Sequence, residues 1–86
     1  MINTKQKELI HELLEAVKER FPEVKLLNVT ESPENSNDLW INVTAPEDED
    51  REIELMEFTS DKEADILVDY GYRIAVMPTK GRLPKS

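Results

Sequence analysis

The chain of 86 residues has no cysteine, two glycines, one histidine and five aromatic side chains (one Trp, two Tyr, two Phe). Without cysteine there can be no disulfide, no thiolate nucleophile and no Cys-ligated zinc. Small secreted domains commonly depend on disulfide staples, so their absence points to a reducing, cytoplasmic setting. With only Gly71 and Gly81, neither a phosphate-cradling P-loop nor a dinucleotide-binding Gly-rich turn can be built. Apolar runs such as Ile66-Leu67-Val68 are far too short to cross a bilayer. The opening Met1-Ile2-Asn3-Thr4-Lys5 lacks the apolar core of a signal peptide. Positive charge is also scarce. Nineteen acidic residues face eleven basic ones, for a net charge of −8 and a pI near 4.6. Phosphate backbones repel such a surface, so direct binding of nucleic acid is not expected.

What is present is a periodic pattern long enough for one domain. We expect that domain over residues 1–78, followed by a basic, flexible tail over 79–86. Residues 73–86 carry Arg73, Lys80, Arg82 and Lys85 and no acid, a net +4, which leaves −12 on the first 72 residues. Ile10, Leu13, Leu14, Val17 and Phe21 recur at helical spacing and predict a helix over 4–20. Asn3 and Gln6 form a capping-box signature at its start, and Pro22 ends it. Residues 24–30 read as a strand and 31–38 as a loop. In 39–45, Leu39, Ile41, Val43 and Ala45 alternate with Trp40, Asn42 and Thr44, the clearest strand pattern in the chain.

Residues 46–50 then read as an acidic turn. In 51–58, Ile53 and Leu55 alternate with Glu52, Glu54 and Met56, which suits a strand, although Glu, Leu and Met also favour helix. Ser60 and Glu63 form a second capping-box signature, which places a helix start at Ser60 and leaves 51–58 as a separate strand. Gly71 supplies the C-cap, and 72–77 form a last strand stopped by Pro78. The expected fold is α+β, a two-layer sandwich of order α-β-β-β-α-β, with two helices on one face of a mixed four-stranded sheet.

Catalytic chemistry finds little support. His11 lies beside Ile10 at the flank of the first helix's apolar stripe, with no nucleophile or orienting partner named by the sequence. The run Glu47-Asp48-Glu49-Asp50 offers oxygen ligands but lacks the spacing and turn glycine of an EF-hand. No catalytic residue, cofactor site or metal site is assigned. The stretch Ser36-Asn37-Asp38-Leu39-Trp40-Ile41, with the strand before it, resembles the start of the minimal nucleotidyltransferase fold over residues 24–45. In that family Gly-Ser precedes Ser-Asp-x-Asp-Leu, whose carboxylates hold magnesium. Asp38 matches the second carboxylate, Ser36 stands where the first would be, and Thr30-Glu31-Ser32 has no Gly-Ser pair. The resemblance therefore implies a degenerate, carboxylate-dependent nucleotide site at most.

The other candidate is a binding surface. No helix is expected on the second face of the sheet. Alternation places Trp40 there, opposite Leu39, Ile41 and Val43, and with 51–58 as a strand it adds Met56 and Phe58, with Met77 beside them. Such an apolar patch marks a protein contact. The expected function is thus a small non-catalytic domain that binds a protein partner, or its own copy, through the open sheet face. No membrane contact is expected.

Overall fold

A computed structural model describes residues 3–34 and 38–79. Its elements run α1 (Thr4–Arg20), β1 (Leu26–Glu31), β2 (Leu39–Thr44), α2 (Glu49–Tyr70) and β3 (Ile74–Thr79). α1 begins as its sequence dictates. The Asn3 side chain accepts the Gln6 backbone N–H at 2.7 Å, and the Gln6 side chain accepts the Asn3 backbone N–H at 2.9 Å. Two of the amides that a helix start leaves without partners are satisfied in this exchange. Leu9, Ile10, Leu13 and Val17 form its buried stripe, and Phe21 closes it as C-cap.

Among the described residues the expected order α-β-β-β-α-β gives way to α-β-β-α-β, and the sheet has three strands where four were expected. The segment 51–58 is helical, the first part of a single 22-residue α2. Its N-cap is Asp48, whose side chain accepts the Asp50 backbone N–H at 3.1 Å. Glu49, Asp50 and Glu52 in the first turn place negative charge at the positive end of the helix dipole. The acidic run expected as a solvated turn is therefore the start of this helix. Ser60 lies in mid-helix, and Glu63 binds the backbone of β3 instead of closing a capping box. Gly71 ends α2 in the left-handed conformation, φ 77°, as its position after Tyr70 suggested.

β1 pairs antiparallel with β2, and β2 pairs parallel with β3, in the order β1-β2-β3. The parallel pair is joined through α2, the crossover such a pair requires. Leu39, Ile41 and Val43 of β2 and Ile74 and Val76 of β3 face the helices. With Leu9, Ile10, Leu13, Val17, Phe21, Val24, Leu55 and Ile66 they make one hydrophobic cluster. Both helices thus lie on the same side of a mixed sheet, in an α+β arrangement.

The last strand runs two residues further than expected, to Thr79, and includes Pro78. The Leu39 N–H donates to the Arg73 carbonyl and the Ala45 N–H to the Thr79 carbonyl. In a parallel ladder this turns the backbones of Arg73, Ala75, Met77 and Thr79 toward β2, and those of Ile74, Val76 and Pro78 toward the outer edge. Pro78 has no N–H to give, so an edge-facing position suits it. Of the expected tail, Thr79 belongs to β3 and residues 80–86 lie outside the described residues.

Candidate interaction surface

Alternation along β2 divides the sheet into two unlike faces. Leu39, Ile41 and Val43 are buried, whereas Trp40, Asn42 and Thr44 are half-buried on the other side. The register sets Trp40 between Thr30 of β1 and Ala75 of β3, and Asn42 between Asn28 and Met77. The Asn42 side-chain amide donates to Asn28 Oδ1 at 2.7 Å and to Thr30 Oγ1 at 3.1 Å. Those bonds fix a polar strip beside the Trp40 ring and span the β1–β2 pair. Across β1, β2 and the first part of β3, every residue on this face is uncharged: Asn, Thr, Trp, Ala or Met. The charges on its parity stand just ahead of the three strands: Lys25 opposite Thr44, Asp38 before Leu39 and Arg73 before Ile74. In a chain that is 35% charged, a sheet face free of charge stands apart from the rest of the surface. None of the helical side chains in the described core packs on it.

Trp40 and Met77 therefore share this face, as their positions in alternating strands indicated. Met56 and Phe58 do not join them, because 51–58 is helical and belongs to the opposite layer. Phe58 is half-buried against the core, its ring 5.7 Å from that of Phe21, with Arg20 and Lys62 over it. Met56 is 50% exposed on α2.

α2 is tied down near its start and again in its second half. The Arg51 guanidinium donates to both carboxylate oxygens of Glu23 (2.9 and 3.3 Å) and to the Arg20 carbonyl at 2.9 Å, and it lies 4.5 Å from the Phe21 ring centre. Its hydrogen bonds hold the Glu23 carboxyl below the usual carboxylate range. Nearer the other end, the Val76 backbone N–H donates to Glu63 Oε2 at 2.8 Å. Burial pushes the Glu63 carboxyl above its ordinary value, outweighing the opposite pull of the Val76 amide and Thr59. This carboxylate takes the one inner amide that the β3 edge could offer beyond Ile74, since Pro78 offers none. The β3 edge is thereby left poor in amides that an added strand could use. No local pattern announced the bond, which spans 13 residues and two element types.

A groove of about 380 Å³ runs where α2 overhangs the start of β2 and β3, bordered by Asp38, Trp40, Ser60, Ala64, Leu67 and Arg73. Asp38, the carboxylate that matches the nucleotidyltransferase pattern, is half-buried at its mouth, while Ser36 and Asn37 lie outside the described residues. Among the described residues, no group of three or more His, Asp or Glu side chains converges on a point where a metal ion could sit. His11 is exposed on α1, away from this groove. Also among the described residues, no helix is long and apolar enough to cross a membrane. Comparison with protein-family models, curated proteins and solved structures finds no match to this chain.

Proposed function

We propose that this protein is a non-catalytic binding domain that associates with a second copy of itself through the open sheet face. One observation carries the reading: Trp40, Ala75 and Met77 lie side by side on an uncharged face of an otherwise strongly acidic protein. Two copies meeting elsewhere would oppose like charges. Meeting here, they bury an aromatic anchor and a methionine on strands that present no carboxylate, with Asp38 and Arg73 of opposite sign at the rim. Trp is the residue type most often found at the energetic centre of such contacts, and the Asn28–Asn42–Thr30 strip supplies a satisfied polar border. The amide-poor β3 edge favours stacking of faces over extension of the sheet on that side. The lack of cysteine suits a reducing compartment such as the cytoplasm.

Sedimentation velocity over a concentration series tests the proposal. A concentration-dependent dimer that Trp40→Ala dissociates is the expected result, with a loss of roughly 2 kcal/mol or more in association free energy. A chain that stays monomeric up to about 1 mM, where even −4 kcal/mol of association would register, refutes self-association. Capture of a different protein that requires Trp40 would retain the face and replace the second copy.

A further inference from the structure

A second surface lies on the helical layer and meets the sheet face only at the groove that Trp40 and Leu67 both border. α2 is the longest element, yet of its 22 residues only Leu55, Thr59 and Ile66 are buried, and one of those is polar. α1, five residues shorter, buries five. Helices in proteins are held chiefly by packing of an apolar face, so α2 is thinly anchored for its length. Its missing apolar residues are on the outside. Ile53, Met56 and Leu67 are exposed at 55%, 50% and 39%. With Ser60 and Ala64 they follow spacings of three and four, which set them in one stripe. Fourteen rises of 1.5 Å from Ile53 to Leu67 make that stripe about 21 Å long. Ile53, Met56 and Ser60 border a shared surface hollow, and Ser60 and Leu67 continue into the groove beneath α2.

The chemistry of the occupant follows from the flanks. Glu57 and Asp61 line the same hollow as Ile53 and Met56. α2 as a whole carries nine acidic and two basic residues, a net −7. A second copy of α2 laid on the stripe would set these carboxylates against their own kind, which opposes pairing. We infer that the stripe docks a cationic amphipathic helix of another protein, its apolar seam on Ile53, Met56 and Leu67 and its Lys or Arg flanks against Glu57 and Asp61. Apolar anchors at helical spacing supply the contact, and the charges select the partner.

The probe is a synthetic amphipathic peptide of about 18 residues, long enough as a helix to cover the stripe, with a Leu seam and Lys flanks. Two controls accompany it: one of the same composition with the seam scrambled, and one with Glu in place of Lys. Titration into the full chain is followed by fluorescence anisotropy of a labelled peptide and by amide chemical shifts. The expected result is saturable binding of the Lys-flanked peptide, shifts centred on residues 53–67, and weakening as salt is raised. Met56→Ser and, separately, Ile53→Ser should each weaken binding by about tenfold while melting like the wild type, since both side chains are exposed. Met77→Ala, on the sheet face, should leave the affinity unchanged. Equal binding of the scrambled or the Glu-flanked peptide overturns the inference, as does absence of saturation. If Met77→Ala abolishes peptide binding and Met56→Ser does not, the peptide occupies the sheet face and this inference falls. If Met56→Ser dissociates a dimer of the chain alone, the stripe is a contact between copies and the inference falls likewise.

Discussion

Glu63 offers the sharpest test of the described packing, because one carboxylate holds together two elements that share no local sequence signal. Its Oε2 accepts the Val76 N–H at 2.8 Å, and Val76 is only 6% exposed. Glu63→Ala removes the acceptor and leaves that amide facing outward beneath α2 with no partner of its own. A buried donor stripped of its acceptor costs about 1–3 kcal/mol. For a domain of this size that corresponds to a fall in Tm of roughly 5–20 °C. Glu63→Gln behaves differently. Its amide oxygen accepts the same N–H, its NH2 group can donate to Thr59 Oγ1, and no charge has to be buried. The Gln variant is therefore expected to match or exceed the wild type at neutral pH.

The pH dependence separates the two effects. Burial raises the folded-state pKa of Glu63 above the ordinary 4.5, so the native state holds this proton more tightly than the unfolded chain. The favourable contribution is fully present below the unfolded pKa and is lost as pH rises through the folded one. Wild type should accordingly gain on the Gln variant as pH falls from 7 toward about 4. Urea unfolding of the three proteins across this range, with hydrogen exchange of the Val76 amide, makes the measurement. Equal stability of the Ala and Gln variants at neutral pH would refute the role assigned to the bond. A wild-type-to-Gln difference that does not change with pH would refute the burial account.

Four further outcomes are expected. Ile41→Ala empties a fully buried site on the central strand and should cost about 2–5 kcal/mol in denaturant unfolding, well above the monomer cost of Trp40→Ala. Gly71→Ala should cost about 1–2 kcal/mol from backbone conformation alone, because an added Cβ meets nothing within 4 Å at φ 77°, and Gly71→Asn should recover part of it. Asn3→Ala should cost about 1 kcal/mol, and a double-mutant cycle with Gln6→Ala should show non-additivity, since each side chain caps the other's backbone. Glu23→Gln should remove a contribution that exists above the ordinary carboxylate pKa and is lost as pH falls through the lowered folded value, so the two proteins should converge in acid and in high salt.

Much of the fold was legible in the residues themselves. The Asn3–Gln6 box, the alternation from Leu39 to Thr44 and the glycine after Tyr70 each act within a few residues, and each appears in the structure where the pattern put it. The same local alternation places Trp40 on the open face, and the register sets Met77 beside Asn42 there. Pro78 does not end β3, because a proline stops an interior strand but is tolerated on an edge, and edge status depends on how three distant segments assemble. The acidic run 47–50 looked like a solvated turn because it can start a helix only if residues 51–58 are themselves helical.

The strand-like pattern of 51–58 has a deeper cause, and it bears on function. A helix is recognised by an apolar stripe on its buried side, but α2 buries Leu55, Thr59 and Ile66 and leaves Ile53, Met56 and Leu67 outside. Apolar residues on both sides of a helix break the 3.6-residue signature. Here they left Ile53 and Leu55 two apart, separated by glutamates, in the pattern of a strand. Ser60 and Glu63 then suggested a false start, although the carboxylate of Glu63 serves Val76 on another element. The feature that hid the helix is thus the stripe assigned to a cationic partner. Were Ile53 and Met56 the polar residues that an unpartnered solvent face normally carries, residues 49–70 would have read as one amphipathic helix from the outset.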